Sequence, residues 1–169
     1  SPAGAMAATV TVTTDGGAGS LRQLLAAAGD GDTIDFAVTT PATITLTTGE
    51  LVVAKNVTIT GPGAGLLTIS GNDASRVFHV SPGKTVTIAH LTATHGVKTG
   101  FPAGGCIYNE NADLTLDHVV VSDCSARYGG GILSDGEAAA ATMLIVDSTI
   151  ADNVATDASG GGIYNDGST

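Results

Sequence analysis

The sequence predicts an all-β protein, a right-handed parallel β-helix with three strands per coil and an N-terminal α-helical cap. The motif GGCIYNEN at Gly104 returns as GGGILSDG at Gly129 and as GGGIYNDG at Gly160, after 25 and 31 residues. Between these motifs, short alternating runs rich in Val, Ile and Thr fill most of the chain. Repeats of this length are typical of stacked structural units, and such alternation is typical of strands.

One segment, SLRQLLAAA from Ser20, is predicted to be a helix. Ser20 is a favourable N-cap, and Leu21, Leu24 and Leu25 form one apolar stripe. Gly29 can end the helix in the left-handed conformation. Because the end of a solenoid has to cover its open core, we expect this helix to cap the first coil.

The predicted domain boundaries follow from this order of elements. Residues 1–6, SPAGAM, resemble an expression-vector remnant. Residues 7–50 are expected to form the cap and the first coil, and residues 51–169 the remaining β-helix coils. The last motif starts a new coil without a capping element, so we expect a C-terminally truncated fragment whose open end, near 143–165, associates with a second copy.

Three columns of strands align along the chain at steady spacings. The members of the first column, 28 or 29 residues apart, are Val57, Val86, Leu114 and Met143. The members of the second column are Leu51, Phe78, Ile107, Ile132 and Ile163. The third column comprises residues 67–70, 91–94, 119–122 and 149–151. An antiparallel sandwich is the alternative, but it would not require this ordered pattern to recur.

Two stretches of the sequence resemble known families. TVTTDGGAGSLRQLLAAAGDGDTIDF, from Thr11, resembles the N-terminal cap of bacterial surface β-helix proteins. The GGxI motifs, with IADN at Ile150, resemble the repeats of polymorphic outer-membrane proteins and of pectate-lyase-like chains. The chain departs from that cap at Gln23-Leu24-Leu25, where Glu-Ala-Ile is frequent, and it lacks the frequent leading Cys. The resemblance implies a secreted or cell-surface bacterial protein, and this fold carries adhesins, stalks, lyases and hydrolases alike.

Composition excludes two classes of partner. The chain has 6 Lys and Arg against 16 Asp and Glu, a formal net charge of −10. Such a surface repels nucleic acid and anionic membranes. The sequence has no apolar run long enough for a membrane helix, so no membrane insertion of this segment is expected.

The acidic residues that follow the GGxI motifs, Glu110, Asp135 and Asp166, are the candidate metal site. Stacked one coil apart, two carboxylates about 5 Å from each other could bind calcium or act as an acid and a nucleophile. Asp is also simply a good turn residue, and this interpretation is preferred. No Lys or Arg recurs beside these acids, which weakens the lyase hypothesis. No catalytic residues are assigned, and no cofactor other than calcium is considered.

His90, His118 and Asp147 form another polar column, between the second and third strands of successive coils. Histidine and aspartate together are metal ligands, but related folds stack polar residues here as a ladder, and the ladder is the preferred interpretation. His79 and His95 match no such column.

Aromatic residues give the candidate carbohydrate site. Tyr108 and Tyr164 are expected to point outward by strand alternation, where stacked rings could hold sugars or only stabilise the sheet. The loop around His95, Lys98 and Phe101 is the most plausible recognition loop, with an ordinary solvated bulge as the alternative.

Cys106 and Cys124 are the only cysteines. A disulfide between them would suit an exported protein, and two small buried thiols would fit the same positions.

The predicted function is therefore a non-catalytic extracellular β-helix stalk or adhesin-like module that binds a polysaccharide or a host or cell-surface ligand. The alternative is the N-terminal part of a carbohydrate-active enzyme, a polysaccharide lyase or hydrolase.

Overall fold

The protein is a parallel β-solenoid of about six turns, seen in a computed structural model that describes residues 4–101, 103–136, 141–157 and 159–167. Residues 1–3 of the segment interpreted as a vector remnant lie outside these ranges. Every pairing between the named strands of the described residues is parallel, as the repeat predicts. In the same residues, no helix is long and apolar enough to cross a membrane.

One short helix and nineteen strands make up the described chain. In chain order they are β1 (Ala7–Val10), α1 (Leu21–Ala27), β2 (Asp32–Phe36), β3 (Ala42–Thr45), β4 (Leu51–Val53), β5 (Val57–Thr60), β6 (Leu67–Ser70), β7 (Phe78–Val80), β8 (Thr85–Ala89), β9 (Thr92–Thr94), β10 (Val97–Lys98), β11 (Ile107–Glu110), β12 (Asp113–Asp117), β13 (Val120–Ser122), β14 (Ser125–Ala126), β15 (Ile132–Asp135), β16 (Thr142–Val146), β17 (Thr149–Ala151), β18 (Val154–Ala155) and β19 (Ile163–Asp166).

The strands form four parallel sheets that run along the solenoid. Sheet A has the order β1-β2-β5-β8-β12-β16, and sheet B has the order β3-β6-β9-β13-β17. Sheet C has the order β4-β7-β11-β15-β19, and the small sheet D has the order β10-β14-β18. Neighbouring strands in each sheet come from successive turns, so side chains at equivalent positions stack.

The strand columns predicted from the sequence are confirmed by the register. In sheet A, Val57 pairs with Val86, Val86 with Leu114, and Leu114 with Met143. In sheet C, the pairing runs from Leu51 through Phe78, Ile107 and Ile132 to Ile163. The antiparallel alternative is excluded for the described residues.

The interior of the solenoid is filled by rows of branched aliphatic side chains. Ile34, Ile59, Ile88 and Leu116 pair in sequence across sheet A, and each is 0% exposed. Burying one such side chain contributes about 1.5–3 kcal/mol. This repeated burial, which follows directly from the alternation in the sequence, holds successive turns in register.

The helix α1 begins as predicted and ends differently. The hydroxyl of Ser20 accepts a hydrogen bond from the Gln23 backbone N–H at 3.2 Å, and Leu25 is buried against the core. The predicted left-handed conformation of Gly29 is wrong, because the helix ends at Ala27 and its C-cap, Ala28, leaves it with an extended backbone. The N–H of Ala28 donates to the carbonyl of Leu24 at 2.9 Å, and this bond closes the last turn.

A polar network anchors this N-terminal region. The Asp15 carboxylate accepts hydrogen bonds from Arg22 at 2.7 Å and from the backbone N–H groups of Thr47 and Thr48, each at 2.9 Å. Burial alone would raise the pKa of Asp15, but the bonds from Thr47, Thr48 and Arg22 lower it to about 2. Arg22 also donates to the Glu50 carbonyl at 2.8 Å, which ties the helix to the start of β4.

The recurring glycine pairs have a steric role. Gly104, Gly129 and Gly160 occupy the left-handed region, with φ of 82°, 55° and 68°. Gly105 and Gly130, which follow the first two of them, lie against the backbone of the next turn, and Gly105 donates to the carbonyl of Gly130 at 3.1 Å. The motif therefore repeats because the chain must turn and then pass close to its own backbone once per turn.

Candidate functional site

The outer side of sheet C carries a cluster of charged and aromatic side chains. Leu51, Phe78 and Ile107 point into the core and are at most 1% exposed. Strand alternation therefore directs His79 and Tyr108, which pair with each other in the register, to the outer side. We call Glu50, Arg76, His79, Tyr108 and Glu110 the His79 cluster.

His79 lies between two carboxylates from different turns. Its Nδ1 is 3.1 Å from Oε1 of Glu50, and its Nε2 is 2.7 Å from Oε2 of Glu110. The imidazole also stacks on the ring of Tyr108, with 5.0 Å between the centroids. With the ring protonated, both nitrogens donate and both contacts are charge-assisted.

Arg76 is the buried member of the His79 cluster. Its side chain is 1% exposed, and Nη1 is 2.9 Å from Oε2 of Glu50. The guanidinium donates to the carbonyls of Gly104 at 2.9 Å and Ala103 at 2.6 Å, and it lies 4.9 Å from the centroid of the Tyr108 ring. Arg76 therefore places a buried guanidinium beside Glu50, an acid outside the predicted column of Glu110, Asp135 and Asp166.

The electrostatics of the cluster follow from these contacts. The hydrogen bond from His79 holds the pKa of Glu50 below its ordinary value, against the effect of burial. Burial lowers the pKa of His79, but the bonds to Glu50 and Glu110 outweigh it and raise the pKa overall. Burial, followed by the charge of Glu110, raises the pKa of Tyr108. The contacts of His79 consequently favour the charged form of its imidazole.

We expect the contribution of His79 to stability to depend on pH. A histidine whose pKa is higher in the folded state stabilises the fold fully at pH values below its unfolded pKa of about 6.5. This stabilisation is lost as the pH rises through the folded pKa. Urea unfolding of the wild type and of the His79→Gln variant should therefore show a gap in free energy of unfolding that shrinks from pH 6 towards higher pH. The facing groups Glu50, Glu110, Arg76 and Tyr108 are unchanged in this comparison, and a gap independent of pH would contradict the assignment.

The predicted metal ligands follow one another along sheet C, and two of the three carboxylates have protein partners. Glu110 pairs with Asp135 in the register, and Asp166 lies at the end of β19 in the next turn. The Glu110 carboxylate contacts His79, and Asp135 accepts a hydrogen bond from the Tyr108 hydroxyl at 3.1 Å. Calcium binding by these three acids stays a prediction.

The predicted carbohydrate-binding tyrosines lie in different environments. Tyr108 points outward from sheet C and is only 3% exposed, which favours the stabilising role over sugar contact. Sugar binding by Tyr108 stays a prediction. A second small apolar cluster covers this residue, with Ala103, Ala126 and Leu133 as the other buried members. Tyr164 is half-buried and lies 5.6 Å from the ring of Tyr128, centroid to centroid.

A groove runs along sheet D beside these tyrosines. Its volume is about 360 Å³, and its lining residues are Val97, Lys98, Thr99, Gly100, Ser125, Ala126, Arg127, Thr156 and Asp157. The Arg127 guanidinium lies 5.2 Å from the Tyr128 ring centroid and pairs with Asp157. The groove thus contains two cations, of which Arg127 contacts the Tyr128 ring, and Lys98 comes from the loop predicted to be the recognition loop. Phe101 of the same loop is 74% exposed.

The predicted histidine column stacks at the corner between sheets A and B. The rings of His90 and His118 lie 5.0 Å apart, and both residues have left-handed backbones, with φ of 54° and 52°. His118 Nδ1 is 2.6 Å from Oδ1 of Asp117, and its Nε2 is 3.9 Å from Oδ2 of Asp147. The contact with Asp117 chiefly raises the pKa of His118.

Cys106 and Cys124 are joined by a disulfide in the structure, with their Cα atoms 5.6 Å apart. Both residues are at most 1% exposed. The bond links the start of the sheet C strand β11 to the segment between β13 and β14.

Sequence reasoning missed Glu50, Arg76 and His79. A signal was present, because the aligned residues Leu51, Phe78 and Ile107 place the residues after them, Val52, His79 and Tyr108, in one outward row.

Comparison of the chain with protein-family models, with curated proteins and with solved structures gives no match.

Proposed function

We propose that the chain is a non-catalytic extracellular binding module built on a β-helix stalk, secreted or displayed on a bacterial surface, and that it binds an acidic polysaccharide. The observation that supports the proposal is the groove on sheet D, which Lys98 and Arg127 line, together with the contact of Arg127 with the ring of Tyr128 next to Tyr164. Cationic side chains recognise sugar carboxylates, and tyrosine rings stack on the apolar faces of sugars.

Charge supports this choice of ligand. The chain has only 6 Lys and Arg residues in a background of 16 Asp and Glu, and two of the cations line this one groove. The ion pair between Arg127 and Asp157 is half-exposed, with side-chain exposures of 50% and 51%. Exposed pairs of this kind contribute little to stability, so a ligand carboxylate can displace Asp157 easily.

The polysaccharide proposal is tested by removing the two cations of the groove. We expect the double variant Lys98→Gln/Arg127→Gln to bind polyuronate chains at least about tenfold more weakly than the wild type, a loss of about 1.4 kcal/mol. The matched control is Lys55→Gln/Lys84→Gln, which removes the same charge outside the groove. Equal loss of binding in both variants, measured by calorimetry, would show a non-specific charge effect and contradict the assignment of the groove.

The alternative function, a carbohydrate-active enzyme, is favoured by a different observation. Glu50 and Glu110 flank His79, and Arg76 lies beside them, a set of groups that acid–base chemistry on a saccharide can use. In this arrangement, however, each carboxylate is already bonded to the imidazole. If the enzyme hypothesis holds, the wild type cleaves acidic polysaccharides and the Glu110→Gln variant does not.

We further propose that the solenoid is a right-handed β-helix whose coils have three main strands, in sheets A, B and C, to which the two-residue strands of sheet D are added in the later turns. We also propose that α1 closes its N-terminal end. Crossover connections between parallel strands are right-handed in about 98% of cases. Contacts of α1 with β1 and β4 and the burial of Leu21 and Leu25 support the capping role.

Self-association is proposed for the other end of the described solenoid. The strands β16, β17, β18 and β19 are each the last strand of their sheet, and Ile150 and Ile163 are only partly buried. Unpaired strand edges with apolar neighbours recruit other strands. We expect the 169-residue chain to form a dimer as its concentration rises, and light scattering that shows a monomer at every concentration would contradict this.

A further inference from the structure

The corner between sheets A and B brings together two imidazoles and a carboxylate from consecutive turns. His90 follows β8, and the pair Asp117–His118 stands one turn later, at the end of β12. The backbone N–H of His90 donates to the carbonyl of Asp117 at 3.0 Å, so the turns are fixed against each other at this point. One ligand atom from each of the three side chains lies within 4.8 Å of the other two.

The types of ligand atom in this cluster indicate which metal ions it can bind. Two imidazole nitrogens and one carboxylate oxygen suit Zn²⁺ and similar divalent transition metals, whereas Ca²⁺ and Mg²⁺ prefer sets made only of oxygen. Zn–N and Zn–O bonds are about 2.0–2.2 Å long, so the three groups need to move inward by roughly an ångström. His118 can do so, because its side chain is 53% exposed.

The left-handed corner by itself does not explain this cluster. His95 has the same backbone conformation, with φ of 51°, and its Nδ1 lies 2.9 Å from the Thr94 hydroxyl, outside the cluster. Asp123 and Asp152 also adopt it, with φ of 55° and 54°. The register also aligns His95, Asp123 and Asp152 in successive turns. Among the described residues, however, it is His90, Asp117 and His118 whose ligand atoms all lie within 4.8 Å of one another.

We propose that His90, Asp117 and His118 form a binding site for Zn²⁺ or a similar divalent transition metal ion. Asp147 of the following turn, whose Oδ2 is 3.9 Å from His118 Nε2, is placed to act as a fourth ligand. The ion joins three consecutive turns along one corner of the solenoid. Because it binds the folded chain, it stabilises the solenoid in proportion to its concentration.

Zinc binding to the full 169-residue chain tests this site. We expect calorimetry to show one saturable Zn²⁺ per chain, and we expect Ca²⁺ and Mg²⁺ not to compete. His90→Asn and His118→Asn should each weaken the affinity for Zn²⁺ by at least about tenfold, since they remove a ligand outright. Asparagine tolerates the left-handed backbone, so these variants keep the corner. His95→Asn is the matched control and should bind like the wild type.

Three results would overturn the proposal. They are no saturable binding tighter than about 1 mM, unchanged affinity in both corner variants, and an equal loss of affinity in His95→Asn. If circular dichroism shows that a corner variant does not fold, the site is tested instead by the NMR signals of the histidine side chains in the wild type. Zn²⁺ should then shift the signals of His90 and His118, and a shift of His79 or His95 instead would contradict the site.

Discussion

Replacement of Gly105 by alanine is expected to lower the free energy of unfolding by about 3 kcal/mol or more. A Cβ atom at this position would overlap the carbonyl oxygen of Gly130 and would lie 2.7 Å from the backbone nitrogen of Ser125. Both obstacles are backbone atoms, so they cannot rotate away as the end of a side chain can. The turns would have to separate, which breaks their hydrogen bonds and packing, and overpacking of this kind is strongly destabilising.

The matched control for Gly105 is Gly16→Ala. A Cβ atom at Gly16 would have no atom within 4 Å, and its backbone is outside the left-handed region. We expect this variant to lie within about 0.5 kcal/mol of the wild type, as surface substitutions usually do. Urea unfolding curves of the two variants, measured side by side, would contradict the close stacking of turns if the two midpoints coincided.

Replacement of Leu25 by aspartate is expected to lower the free energy of unfolding by about 4 kcal/mol. Leu25 is 6% exposed and belongs to the main core cluster with Leu21 and Val10. A carboxylate there would lose its hydration among apolar side chains, and such burial of a charge is among the largest single-residue effects. Leu24, on the same predicted stripe, is only half-buried, so Leu24→Asp should cost less.

The control for Leu25 is Ala26→Asp, on the exposed face of the same helix. This variant adds the same charge and changes helix propensity by less than about 1 kcal/mol. We expect Leu25→Asp to melt at a clearly lower temperature than Ala26→Asp. Melting of Leu25→Asp at the wild-type temperature would show that α1 does not close the core.

The sequence predicts the solenoid well because inward positions are constrained by burial. Val57, Val86, Leu114 and Met143 must all be apolar to fill one interior row, so their spacing records the length of a turn. The first strand begins earlier than alternation indicates, since the alternating residues TVTVTT run from Thr9 to Thr14 whereas β1 is Ala7–Val10. Alternation locates a strand more reliably than it locates the ends of the strand.

The outward residues could be predicted only in part. Alternation gives the direction of Tyr108 correctly, but outward is not the same as exposed, because Ala103 and Ala126 form a second layer over sheet C. The partners of His79 come from Glu50 and Glu110, which are 29 and 31 residues away. Nothing local in the sequence requires these contacts, and only the register between turns produces them.

The central claim, that the chain binds an acidic polysaccharide without cleaving it, is tested most directly by one measurement. Purified protein is incubated with a panel of polyuronates and with a neutral glucan, and both retained complex and new chain ends are quantified in the same samples. We expect the protein to retain a polyuronate without producing new chain ends, and not to retain the neutral glucan. New chain ends that vanish in the Glu110→Gln variant, or no retention of any acidic polysaccharide, would contradict it.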